Sequence, residues 1–376
     1  MIYLDRHPRR LAMRYSVSVV DANDDIKGAV AHSLGLIGWS PSRGEKMLVK
    51  PNMITAKTSE QGVTTDPRIV KALVELLKEN GAIPSVGDSP GSAYSGRASE
   101  VFEKTGMLQV IRESGAEFVQ FESVPPRLVS IEGKLIDSIG LAGPIFHSKL
   151  INVPKLKTHA QTVMTGAIKN LAFGCIPGAG KSKLHAIGTS PDRMAKVMID
   201  VYSVIRPTVT VNIMDAVIGM DGNGPSAGRA RKLGKILAST DALALDIVSF
   251  KMVGVIPENV PYVREAMERG LGPSSPDEIE IVGELPKDLK FKLPWTIISA
   301  LTLRAGSLVP SISPTVSIIP SKCTRCGTCV KACPVFAINM EELSAKVDKS
   351  KCIRCYVCYE VCEYDAIRIN RPFLRR

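Results

Sequence analysis

Eight of the nine cysteines lie between Cys323 and Cys362, in two runs of identical spacing. Cys323, Cys326, Cys329 and Cys333 recur 29 positions later as Cys352, Cys355, Cys358 and Cys362, and Ala337-Ile338 recurs as Ala366-Ile367. Each run has the form C-x₂-C-x₂-C-x₃-C. Three thiolates on one short loop can each hold a different iron of a cubane, while the fourth, on the following helix, points to the other cluster. The spacing therefore predicts two [4Fe–4S] clusters, with every cysteine of both runs a metal ligand. Cys323, Cys326, Cys329 and Cys362 hold the first; Cys352, Cys355, Cys358 and Cys333 hold the second. Zinc is the alternative, but four-cysteine zinc sites use two separated C-x₂-C pairs rather than three cysteines in one run. With no ligand position left open, the clusters offer one-electron transfer. Nine cysteines in 376 residues do not make a disulfide framework; they imply metal and a reducing, cytoplasmic compartment.

A second set of reactive side chains is spread over the first two thirds of the chain. Lys50, Lys155, Lys157, Lys169 and Lys181 sit in turn-like or strand-end positions. If they converge, they form a positive basin suited to a carboxylate, a phosphate or an enolate-like intermediate. Asp88 can supply a counter-charge or a base, and His159 and His185 can act as acid–base groups or ligands. Asp66, Asp215, Asp241 and Asp246 are further carboxylates; Asp66 and Asp241 read equally as helix caps, and Asp246 as a buried partner for a lysine. Cys175 reads as a small buried hydrophobe. Gly178 to Ser182 imitates the end of a phosphate-binding loop, but Cys175 stands where that loop needs glycine. The segment instead reads as a flexible loop carrying Lys181 and His185 over a site.

Alternating strand and helix signals from 15 to 284 must position these groups. Lys46 to Val49 reads as a strand, Asp66-Pro67 opens a helix, Gly81 closes it, and Ile83 to Val86 is the next strand. That crossover implies parallel pairing. Leu150 to Val153, Val209 to Met214 and Ile236 to Ala238 repeat the pattern, each followed by polar residues. In a parallel sheet the carboxyl ends of strands are where ligands bind. The expected fold is an α/β domain with a mostly parallel sheet over 15–284, a proline-containing connector over 285–320, and a small α+β domain with an internal two-fold repeat over 321–370.

Two resemblances follow. The cysteine runs resemble a bacterial-type ferredoxin domain over roughly 319–370, with Pro334 after the last cysteine of the first copy but Glu363 in the second. The larger part resembles the domain-of-unknown-function 362 family of iron–sulfur-associated proteins. The resemblance rests on Val49 to Asn52, Val63 to Pro67, Gly87 to Gly91, Pro154 to His159 and Gly166 to Asn170. Lys181 with His185, Met214 to Ala216, Gly222 to Pro225 and Asp241 to Asp246 extend it. It implies a fold and an attached ferredoxin module but little biochemistry.

Composition narrows the function further. The formal charge of +11 becomes about +7 once two clusters with their thiolates are bound, modest for this length. Aromatic residues make up 5% of the chain and do not interleave with basic runs, so nucleic acid is not the expected partner. No stretch reads as a membrane span, since the apolar run at 294–310 is broken by Arg304. Strand-like sequence starts at Tyr15, so Met13 rather than Met1 is the expected start. The leading expectation is an oxidoreductase or reductive activator that takes electrons from a soluble carrier and passes them to an anionic small molecule or a centre in the lysine basin. An electron-transfer or assembly partner with a lysine docking face, and a non-redox metal or acid–base enzyme with structural clusters, are the alternatives. A metal beyond the clusters stays open.

Overall fold

The computed structural model describes residues 15–370 apart from 23, 179, 295 and 297–313. The expected start at Met13, and all but the first residues of the stretch 294–310, lie outside the described residues. The elements run β1 (Tyr15–Asp21), α1 (Ile26–Leu36), β2 (Lys46–Lys50), α2 (Pro67–Glu79), β3 (Ile83–Val86), α3 (Ala98–Lys104), α4 (Met107–Ser114), β4 (Glu117–Phe118), β5 (Arg127–Ser130) and β6 (Ser138–Leu141). Next come β7 (Lys149–Asn152), β8 (Lys155–His159), β9 (Val163–Thr165), α5 (Ala167–Gly174), α6 (Gly180–Ile187) and α7 (Pro191–Ile205). β10 (Val209–Asp221), β11 (Arg229–Ser239), α8 (Ala242–Met252), α9 (Pro261–Glu268) and β12 (Ile279–Gly283) complete the large domain.

The main sheet has the order β12-β1-β11-β10-β7-β2-β3-β4, with β8 and β9 attached beside β10. It is mixed and mostly parallel: only β1–β11, β10–β11 and β8–β9 pair antiparallel. Side chains alternate across it, as strand geometry requires. Met47, Val49, Val211 and Ile213 join α1, α2 and α4 in one core, while Leu48, Met214 and Leu237 join α5, α7, α8 and α9 in the other. The result is helices on both faces of one sheet.

Two sequence expectations change here. β11 runs against β10, so its end at Ser239 lies opposite Asn212, near the start of β10. Asp241 is therefore at the other edge from the lysines; it caps α8 by accepting from Ala244 N at 2.9 Å and reaches Arg206 at 3.5 Å. β10 also continues to Asp221, past the expected end at Met214, with a register shift after Ala216. Its extension pairs with β8, so the polar run Lys155 to His159 is a strand with every residue buried rather than a strand-end loop.

The cysteine region contains β13 (Thr315–Ile318), α10 (Thr328–Ala332), β14 (Ile338–Met340), β15 (Ala345–Val347), α11 (Val357–Glu360) and β16 (Ile367–Asn370). β13 pairs with β16 and β14 with β15. β13 falls within the expected connector yet belongs to this unit, because its partner is β16. Arg325, Gly327 and Phe336 have left-handed backbone, as do Arg354, Tyr356 and Asp365 at the matching places in the second cysteine run.

Candidate functional site

Beneath the carboxyl edge of the sheet, two lysines carry their own counter-ions. Lys50, at the end of β2, meets Asp88 after β3 at 2.7 Å, and Lys155 at the start of β8 meets Asp215 on β10 at 2.9 Å; all four are buried. Burial pushes both carboxyls up, against the pull of Lys50 on Asp88 and of Lys155 on Asp215. Backbone amides help hold them ionised: Met53 N donates to Asp88 at 2.8 Å and Asp66 N to Asp215 at 2.7 Å. Lys50 also donates to Asn170 Oδ1 at 3.2 Å. A Cβ on Gly174 would fall 2.0 Å from Lys50 Nζ, so only glycine lets α5 approach the pair. Lys157 donates to Val63 O. Burial, with Lys169 and Lys155 nearby, pushes its ammonium well below the ordinary lysine value.

Above this floor lies a cavity of about 60 Å³, measured as space open to the centre of a water-sized sphere. Asp88, Lys169, Lys181 and His185 line it; Lys50, Lys155, Lys157 and His159 do not. Lys181 and His185 stand one turn apart on α6, a helix where a flexible loop was expected. Lys181 donates to Ser89 O at 2.7 Å, to Ser89 Oγ at 2.5 Å and to Pro90 O at 2.8 Å. Burial lowers it to about 8. Lys169 projects from α5 over the Phe173 ring at 5.1 Å. Among the described residues it has no hydrogen bond or ion pair, and burial lowers its pKa.

The two histidines are tied together by Gln161. Its Nε2 donates to Gly188 O at 2.8 Å, so its Oε1 accepts from His185 Nδ1 at 3.0 Å. That arrangement leaves His185 Nε2 with a free lone pair. His159 Nδ1 accepts from Gln161 N at 3.1 Å and from Thr162 N at 3.3 Å, which puts its proton on Nε2. Burial lowers both imidazoles to about 4, so both are neutral near pH 7.

The roof comes from the cysteine region. Val357, Glu360 and Val361 complete the cavity wall. Glu360 Oε1 lies 3.1 Å from His159 Nε2, the nitrogen that carries the proton, so the carboxylate and the imidazole N–H face each other. Burial would raise the Glu360 carboxyl, but His159 and Lys169 outweigh it and hold it below the usual range. Tyr359 OH donates to Asn223 O at 2.5 Å, and Lys57 pairs with Asp365 at 2.6 Å. Glu363, where proline would repeat Pro334, accepts from Tyr94 OH and lies 3.5 Å from Lys104. The turn at Gly222 to Gly224 thus receives this region rather than a small ligand.

Cys323, Cys326, Cys329 and Cys362 line one hollow, and Cys333, Cys352, Cys355 and Cys358 line another. Burial and the neighbouring thiols Cys362, Cys326 and Cys323 push Cys329 up to about 11. Burial raises Cys355 to about 12, with Cys333 and Cys352 among the contributors. Four mutually repelling thiolates around a hollow fit a body of positive iron that holds them deprotonated.

The remaining candidates are structural. Asp66 caps α2 by accepting from Arg68 N at 2.9 Å. Among the described residues Asp246 has no lysine partner: its carboxylate accepts from Ala167 N at 2.6 Å and Ile168 N at 3.1 Å, at the start of α5. Cys175 is a buried core residue. The sequence reading missed Asn52, Ser92, Thr165 and Glu360, which line the cavity. Asn52 lay inside a quoted motif; Glu360, a lone acid between cysteines, gave no signal.

Residues 47–251 match a family described as a domain of unknown function (DUF362), and residues 315–363 match a 4Fe–4S dicluster domain. The chain is 31% identical over 270 residues to the thylakoid-associated protein sll1697 of Synechocystis sp. (strain ATCC 27184 / PCC 6803 / Kazusa), covering 70% of this chain and 81% of that protein. With its buried lysine site on a mixed α/β sheet and its 4Fe–4S ferredoxin-type domain, the chain belongs to the DUF362 family.

Proposed function

We propose that this protein, in a reducing cytoplasm, passes electrons from a soluble carrier to a small anion bound in the cavity of the large domain, as an oxidoreductase or reductive activator. The observation that carries the reading is Glu360. It lies two residues from both Cys358 and Cys362 and lines the same cavity as Lys169, Lys181 and His185. Two [4Fe–4S] clusters, each on the four cysteines named above, supply one-electron transfer when bound. The matched left-handed positions support a two-fold repeat around them.

The chain's own residues bind and orient. Lys169 offers an ammonium to the anion, His185 Nε2 accepts a proton, and Lys181 carries one. Val357 and Val361 help close the cavity to water. Cys326 is exposed while Cys355 and Cys358 are buried, which suits entry of electrons on the Cys326 side and exit on the other. Burial argues against the lysines as a docking face, since none of the five is more than 7% exposed.

The test uses anaerobic protein with about eight iron and eight sulfide per chain. The chemically reduced protein should be reoxidised by a small anionic acceptor, read from cluster absorbance. His185→Gln should slow that step while metal content stays unchanged. An unchanged rate in this variant would move the electron exit elsewhere.

A further inference from the structure

The cavity wall is chemically lopsided. Lys169 is its one ammonium without a hydrogen bond or close ion pair among the described residues, though the Glu360 charge acts on it. Lys50 and Asp88 neutralise each other, and Lys181 spends its hydrogens on Ser89 and Pro90. Acceptors, by contrast, are in excess. His185 Nε2 has a free lone pair, and Asn52 Oδ1 is buried without a hydrogen bond. Thr165 Oγ1 and Ser92 Oγ are buried hydroxyls without a hydrogen bond, each able to donate or accept. Buried polar atoms are nearly always satisfied, so this many at one cavity point to partners supplied by a ligand.

Size sets the second limit. One water needs roughly 10–15 Å³ on this measure. The cavity, at about 60 Å³, is small and suits a compact ligand. Nucleotides, sugar phosphates and flavins would extend beyond its walls.

We infer that the site takes a small monocarboxylate bearing its own hydrogen-bond donor, a hydroxy or amino acid of two or three carbons, with the carboxylate on Lys169 and the donor facing Asn52 and His185. The inference rests on the reading of this cavity as the electron acceptor's site, where two electrons, one from each cluster when bound, and two protons would break the acid's C–O or C–N bond, release water or ammonium and leave the plain carboxylate. A simple carboxylate would leave the acceptors unpaired. A proton-free inorganic oxyanion such as sulfate would crowd oxygen against oxygen, and a phosphate would offer a donor without the carbon frame.

Calorimetric titration of the oxidised, iron-replete protein tests this without electron flow. Glycolate or glycine should bind about tenfold more tightly than acetate, the worth of one or two buried hydrogen bonds. Inorganic phosphate should bind more weakly still. Lys169→Gln should weaken binding tenfold or more. Thr165→Val keeps the side-chain shape and removes an unpaired hydroxyl, so it should not lower the melting temperature, yet it should weaken binding several-fold. Acetate binding as tightly as both glycolate and glycine, phosphate binding best, or an unchanged affinity in Lys169→Gln would each overturn the inference. Tight binding combined with no reoxidation by any such acid would instead defeat the electron-transfer reading and leave the ligand class standing.

Discussion

Asp215 shows what a single buried charge does in this site. Its carboxylate is fully buried, contacts Lys155, and accepts from Asp66 N and Val217 N. Asp215→Ala leaves Lys155 charged and unpaired, and should cost about 3–5 kcal/mol. The double replacement Lys155→Met, Asp215→Leu should recover much of that loss, measured by anaerobic chemical denaturation. Lys181 gives a pH signature. Its pKa falls from 10.5 to about 8 on burial, so between those values the folded state binds fewer protons than the unfolded chain. Stability must then rise with pH across that window. Lys181→Met should flatten the rise, measured as denaturation midpoints from pH 8 to 10.5.

At the scale of elements, α5 is the part on which the site turns. It begins at Gly166, whose missing Cβ makes room for Asp246; a methyl there would lie 2.1 Å from Asp246 Oδ1. The Asp246 carboxylate holds the first two amides of α5, and the helix then presents Lys169 and Asn170. Gly166→Ala should displace that cap, destabilise the fold by about 1–3 kcal/mol and weaken ligand binding together. β8 positions its lysines by a different route. Strand pairing on both sides, to β10 and β9, buries a polar sequence whose composition reads as a loop. The strand is tolerable there only because Asp215 and Val63 O satisfy its ammonium groups.

For the whole molecule, the deciding contact is between the cysteine region and the sheet edge. Glu363→Pro restores the residue found after Cys333. It should keep about eight iron per chain but lose the contacts with Tyr94 and Lys104, raising hydrogen exchange around Tyr94. The two cysteine sets should also respond differently. Cys355 packs with Val357, Val361 and Met53 in the core shared with the large domain, whereas Cys326 is exposed. Cys355→Ser should lower the melting temperature and stop reoxidation by the cavity ligand. Cys326→Ser should chiefly slow reduction by an external carrier. Equal effects on both steps would contradict electron entry and exit at opposite sides.

Short-range chemistry was legible along the chain. The cysteine spacing sorted the eight cysteines into the two sets that line separate hollows, because three of each set lie on one tight loop. The α2 boundaries followed from Asp66-Pro67 and Gly81, which act on their immediate neighbours. The eight large-domain candidates were found as residue types, but only tertiary structure divided them into floor and cavity wall. Lys50 and Asp88 lie 38 positions apart, and His159 and Glu360 lie 201 apart. No local pattern encodes such pairs. They exist because the strand order brings β2, β3, β8 and β10 to one edge, and because the ferredoxin-type domain closes over it.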